Sequence, residues 1–234
     1  MLAGGRVLDV KVARFTVIRR RWGDFFMCVW AAGGGVNEYV VRQALRVLRE
    51  HGVDTLTNCP TAPEYAWAAA EEDFSTIPYM TRYFFQGDAP DRIRRPCLTD
   101  PKYRRAERKK LLRNARTFAP LDPLAYTLGD ECFYSARPVD LCWSKTCLEA
   151  YRRYLARQYG SIEALNEEWG TSYRSFDEVE PVTFKEAKGK RLFPQWVDHK
   201  CFVDTVFADM MRFARDCIRE VDKTARVGFD GPFN

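Results

Sequence analysis

Two adjacent carboxylates, Asp130 and Glu131, end the run Ala125-Tyr126-Thr127-Leu128-Gly129-Asp130-Glu131-Cys132-Phe133. The apolar stretch before them reads as a buried strand. A carboxylic acid at such a strand end lies against an apolar wall. Burial of that kind raises a carboxyl pKa and makes a general acid. Glu131 is therefore the first catalytic candidate. Asp130 beside it either touches substrate or caps the following turn, as Asp often does. Other polar or aromatic residues fall at predicted strand ends: Trp30, Asn58 and Arg82, followed by Arg92, Arg94 and Arg95. An arginine can bind a hydroxyl or orient a carboxylate. Trp30 either stacks on a ring or is simply buried. His51 and His199 do not suggest a histidine-based catalytic set. Gly33-Gly34-Gly35 lacks the spacing of a phosphate loop or dinucleotide fingerprint.

These candidates need elements to hold them. Residues 1–22 are short, alternating and β-prone (Val7 to Val12, Phe15 to Ile18), a β lead-in or the end of an upstream β domain. From residue 23 strands alternate with helices. Strands are expected at Phe25–Trp30, Val53–Asn58, Thr76–Phe84, Leu124–Gly129 and Ala225–Asp230, the first as a continuous apolar run buried on both faces. Helices are expected from Asn37 to Gly52, Glu64 to Glu72, Asp100 to Phe118, Cys142 to Tyr159, Ser161 to Gly170 and Asp198 to Asp222. An insertion spans about 160–197, with an irregular stretch at 171–197. Alternation implies a parallel sheet with right-handed crossovers. The fold class is α/β, read as a partial (β/α)8 barrel of about five strands, with a complete open α/β sheet as the rival. Barrels carry their chemistry at the C-terminal ends of strands, which is where the candidates fall. Five strands do not close such a barrel, so the expectation is a fragment of a longer protein.

With 46% hydrophobic residues in 234, the chain can bury a sizeable core. No apolar stretch reaches bilayer length, and the N-terminus has no signal-peptide pattern, which favours the cytoplasm and no membrane partner. The net charge of +5 is spread out. The basic helix from Arg104 to Arg116 has Ala106, Leu111, Leu112 and Ala115 on a core side and no interleaved aromatics, so no nucleic-acid partner is expected. Eight scattered cysteines indicate a reducing compartment rather than a disulfide framework. Cys28, Cys201 and Cys217 sit among apolar neighbours and are expected in the core.

Residues 125–231 resemble retaining (β/α)8 glycoside hydrolases, most nearly the family 42 β-galactosidase type. Gly129-Asp130-Glu131-Cys132 is similar to the end of the family's fourth strand, and Cys147 to Leu155 to the helix that follows. Tyr159 to Thr171, with Asn166-Glu167-Glu168-Trp169-Gly170, is similar to its most recognisable signature. Asp177 to Pro181, and Cys97 to Arg104 after strand three, add to the likeness. The resemblance implies retaining hydrolysis of a β-glycosidic bond in a carbohydrate substrate, with Glu131 as acid/base and Asp130, Asn58, Arg82 and Trp30 at the substrate. It requires no catalytic cofactor and leaves oligomerisation of the full protein open. It also implies a structural zinc held by Cys97, Cys132, Cys142 and Cys147; no CxxC occurs, and four free thiols are the other reading. Two departures matter. The family usually has Asn where this chain has Asp130, and its nucleophilic Glu belongs to a seventh strand that five strands do not reach. A carbohydrate-binding or degenerate barrel without turnover is the alternative.

Overall fold

The computed structural model describes residues 2–3, 6–7, 25–30, 37–136 and 140–231. Strands β1 (Leu2–Ala3) and β2 (Arg6–Val7) pair antiparallel. The rest of the predicted lead-in, including Phe15 to Ile18, lies outside the described residues, as does Gly33-Gly34-Gly35.

From residue 25 the alternation of strand and helix is present. Strands β3 (Cys28–Trp30), β4 (Thr55–Cys59) and β5 (Ser75–Pro78) pair in parallel in chain order. Strand β6 (Tyr126–Asp130) pairs in parallel with β7 (Val227–Asp230). Beyond Pro78, which ends β5, a parallel bridge between Tyr79 and Thr127 joins the two sets. The Met80 N–H donates to the Thr127 carbonyl and the Leu124 N–H to that of Thr76, both at 2.9 Å. The five strands thus run parallel and in sequence order, as right-handed crossovers require.

Helices α1 (Glu38–Glu50), α2 (Pro63–Glu71), α3 (Pro101–Phe118), α4 (Lys145–Tyr159), α5 (Ile162–Trp169), α6 (Phe184–Lys190) and α7 (Phe193–Val221) complete the crossovers. Their starts follow the sequence chemistry. Side chains of Asn37, Asp100, Ser144 and Ser161 each accept from the first turn of their helix, and Thr183 with Glu186 forms a capping box. Helix α3 packs on α7, burying Leu111, Ala115 and Phe118 in one core with Met210, Ala214 and Ile218. Each such large apolar side chain contributes about 1.5–3 kcal/mol.

Several expectations are corrected. The run Phe25–Trp30 is an edge, with Phe25 77% and Trp30 54% exposed, because among the described residues no strand covers its outer side. Residues 171–197 are not irregular: they hold a 3₁₀ turn at Phe176–Glu178 and α6, and α7 begins at Phe193, with a proline in its first turn, rather than at Asp198. Helix α4 starts at Lys145, after its Ser144 cap, not at Cys142. Of the three cysteines expected in the core, Cys217 is buried, but Cys28 and Cys201 are exposed. Ala106 faces solvent, and Glu107 takes the buried position beside it.

Candidate active site

The C-terminal ends of β4, β5, β6 and β7 bring six polar side chains together. Arg82 Nη2 donates to Glu131 Oε2 at 2.7 Å, and its Nε lies 3.6 Å from Asp130 Oδ1. The Tyr79 hydroxyl donates to the same Asp130 oxygen. The Asn58 amide donates to Asp230 Oδ2 at 3.1 Å. The Arg82 guanidinium stacks over Phe84 at 4.1 Å, and Phe84 packs on Phe133 at 4.4 Å between ring centres. Burial, then the hydrogen bond to Asp130, push the Tyr79 hydroxyl above its ordinary pKa. Tyr79 therefore stays protonated and donates.

Backbone geometry sets these directions. Gly129 adopts φ +110°, and a Cβ there would lie 2.5 Å from the Thr81 carbonyl oxygen. Only glycine lets β6 pass so close to the segment after β5. Glu131 follows at φ 46° and Asn58 at φ 55°, the left-handed region, which Asn tolerates and Glu rarely adopts. The Glu131 N–H donates to the Asp230 carbonyl at 3.0 Å, which holds the unusual turn. The Glu131 side chain keeps 48% of its surface open. The apolar wall expected from the sequence is thus replaced by an ion pair on an open face.

Glu131, Asp130, Asn58 and Arg82 are brought to one rim, as their strand-end positions imply. Trp30 ends the edge strand β3, but among the described residues no hydrogen bond or ring contact joins it to this group. Tyr79 and Asp230 were missed, although both stand at strand ends. The other arginines do different work. Arg94 is 1% exposed and donates to the Tyr134 and Pro96 carbonyls. Arg95 pairs with Asp91, and Arg92 lies over Trp143.

A second cluster is formed by Cys97, Cys142 and Cys147, whose sulfurs all lie within 4.8 Å of one another. Cys132 is not part of it: its thiol donates to the Leu128 carbonyl at 3.4 Å, inside the strand end. The Cys97 and Cys142 sulfurs are 3.8 Å apart. Two thiolates bound at 2.3 Å to a tetrahedral zinc lie about that far apart, ~3.8 Å. The Ser144 hydroxyl stands 3.0 Å and that of Thr99 3.1 Å from Cys97 Sγ. Thiols of Cys142 and Cys147 directed at Cys97 hold its pKa well below the ordinary thiol range, while that of Cys147 is pushed up. The donor set fits three corners of a zinc tetrahedron, with the Ser144 and Thr99 hydroxyls beside it. Arg94 adds a fit of charge. Three thiolates around a divalent ion carry one net negative charge, and this buried guanidinium has one nitrogen, Nη2, without a partner among the described residues.

Comparison with known proteins identifies the family of the chain. The β-galactosidase family of the glycoside hydrolase 42 type matches residues 38–229. A β-galactosidase of Thermus thermophilus is 32% identical over 143 residues, covering 59% of this chain and 22% of the relative. One from Halorubrum lacusprofundi is 27% identical over 194 residues, covering 77% of this chain and 26% of the relative. The chain thus spans about a quarter of the length of the curated relatives it matches. Among solved structures, the β-galactosidase of Marinomonas ef1 superposes with a TM-score of 0.66 at 17% identity, over 88% of this chain and 36% of that one. The catalytic domain of a Paenibacillus polymyxa β-amylase superposes at 0.58 and 14% identity, over 87% of this chain and 65% of that one. At these identities the likeness is one of fold. The sequence match over residues 38–229 carries the assignment: the chain belongs to the glycoside hydrolase family 42 β-galactosidases.

Proposed function

We propose that the protein carrying this chain is a retaining β-glycosidase acting on β-galactosides, with Glu131 as its general acid and base. The observation that carries the reading is Glu131 itself. It stands at the C-terminal end of β6, held in a left-handed turn, oriented by Arg82 and open to solvent on its free side. In the first step its carboxyl protonates the glycosidic oxygen; in the second it takes a proton from water. The mechanism needs a second carboxylate about 5–5.5 Å away to attack the sugar carbon. The resemblance to the family puts that group on a later strand of the family's barrel. Asn58, Tyr79, Arg82 and Asp130 line the rim where sugar hydroxyls lie, and Trp30 offers a ring face at its edge. The working state is a closed barrel in the cytoplasm.

A sugar-binding barrel without turnover is the second reading. It is favoured by Asp130, whose carboxylate is already engaged by Tyr79 and Arg82 where the family presents an amide. One experiment separates the two. In the full-length protein, Glu131→Gln should lower kcat for a β-galactoside with a poor leaving group by about 10²–10⁴-fold. It should affect the first step on an activated aryl galactoside much less. Sugar binding with no turnover by the unmodified protein would establish the second reading.

The proposal includes a structural zinc held by Cys97, Cys142 and Cys147. Bound there, it would tie the loop before α3 to the start of α4. Metal analysis of the purified protein should find one zinc per chain, lost on Cys142→Ser.

A further inference from the structure

A cavity of about 430 Å³ lies among α3, α4 and α7 and shares no residue with the Glu131 group. Its lining includes four arginines, Arg104 and Arg105 from α3 and Arg153 and Arg157 from α4, with Tyr154 and the buried Phe202 supplying aromatic surface. Several arginines elsewhere on the outer helices are neutralised: Arg42 by Glu38 and Glu71, Arg46 by Glu72, Arg49 by Asp73, Arg108 by Glu220. Here they are not. Arg105, Arg153 and Arg157 form no ion pair among the described residues. The one carboxylate in the lining, Asp209, is paired with Arg212 on its own helix. Arg104 is fixed in place: its Nε donates to the Leu98 carbonyl at 2.8 Å and its guanidinium lies over Phe213 at 5.4 Å.

Like charges around one hollow repel, and at Arg42, Arg46, Arg49 and Arg108 the chain offsets its guanidinium charge with nearby carboxylates. A concave site that gathers guanidiniums on an aromatic floor is suited to an oxyanion carried on a ring. Guanidinium forks bind the tetrahedral oxygens, and the aromatic rings take the flat body. The volume falls in the range of small-molecule sites, about 300–1,000 Å³. We infer that this cavity is a second binding site, separate from the glycosidase rim, for a small phosphorylated or sulfated ring compound such as an anionic sugar. The phosphate and sulfate forms share the chemistry, and their relative affinity identifies the source.

The test is isothermal titration of the full-length protein with galactose 6-phosphate, galactose 6-sulfate, inorganic phosphate and neutral galactose. Glu131→Gln serves as background, so that occupancy of the catalytic rim is read from galactose alone. Both anionic sugars should bind in addition to any galactose signal and more tightly than inorganic phosphate. Arg153→Gln with Arg157→Gln should weaken them by about tenfold or more, the scale of losing charge-assisted hydrogen bonds. Arg113→Gln with Arg116→Gln, exposed on α3 and outside the lining, should leave binding unchanged. Thermal melting checks that each variant is folded, and Arg153→Lys with Arg157→Lys replaces any that is not. Equal weakening by both pairs of substitutions, anionic sugars no tighter than inorganic phosphate, or no binding beyond that of galactose would each overturn the assignment. Because the readout is binding by an acid-deficient variant, it stands or falls apart from the proposed hydrolysis.

Discussion

A Cβ on Gly129 would meet the Thr81 carbonyl oxygen at 2.5 Å and Arg82 Cα at 3.0 Å, both backbone atoms that cannot swing aside. The φ of +110° at Gly129 adds a conformational penalty for any other residue. Gly129→Ala is therefore expected to cost about 1–3 kcal/mol of stability. It should also separate Arg82 from Glu131, so activity should fall further than the loss of folded protein explains. Denaturant titration beside kcat measures both, and an unchanged midpoint would contradict the close approach. His199 offers a second test. It is 1% exposed, neither ring nitrogen has a hydrogen-bond partner among the described residues, and it packs edge-on against Trp143 and Tyr151. Burial, with the neighbouring Lys200 charge, draws its pKa down to about 3 from 6.5. The folded-state value lies below the unfolded one, so the unfolded chain takes the proton first. Stability is full above about pH 6.5 and is lost as pH falls toward 3, by about 1.4 kcal/mol per pH unit at most. His199→Phe should flatten that acid limb in urea titrations between pH 7 and pH 5; an unchanged slope would show that His199 does not carry it.

At the scale of elements, Ser144 has two duties. Its hydroxyl accepts from the Cys147 N–H as the N-cap of α4, and it stands 3.0 Å from the Cys97 sulfur. The cap contributes about 1 kcal/mol. Ser144 stands beside the Cys97 thiol, and a proposed zinc held by three thiolates keeps one weak or solvent ligand there. Ser144→Cys should therefore slow removal of zinc by a chelator by about tenfold or more, even as the helix loses its oxygen cap. Loss of zinc at an unchanged rate would show that residue 144 does not face the metal. Stripping zinc should loosen the segment from Cys97 to the first turn of α4, read as faster thiol alkylation there. The sugar rim, built on β6 and β7, should be affected less.

At the scale of the molecule, β3 and β7 both present open edges among the described residues. Trp30 is 54%, Met27 48% and Phe229 40% exposed at or beside them. Unpaired strand edges carrying apolar residues are templates for association. These 234 residues expressed alone should self-associate and bind a hydrophobic dye. Trp30→Lys with Phe229→Lys should reduce both effects, and a monodisperse, dye-negative chain would argue against open edges. Under the proposed mechanism, with the nucleophile on a later strand, the chain alone should also show no glycosidase activity.

The sequence by itself determined the order of elements. Helix starts at Asn37, Asp100, Ser144 and Ser161 are local chemistry, a side-chain oxygen meeting a free N–H, and local chemistry is readable one residue at a time. The strand ending at Asp130 and Glu131 was legible for the same reason: an apolar run is interrupted by charge. The edge exposure of β3 was not legible, because a continuous apolar run says that a strand is built for burial and not whether anything lies against it. Nor was the pairing of Arg82 with Glu131 rather than with solvent, which depends on how closely β5 and β6 approach at Gly129. The exclusion of Cys132 from the thiol cluster and the inclusion of Ser144 and Arg94 around it were likewise decided only in three dimensions. Cys132 points into the strand end and Cys97 toward α4, and sequence spacing carries no information about direction across elements 45 residues apart.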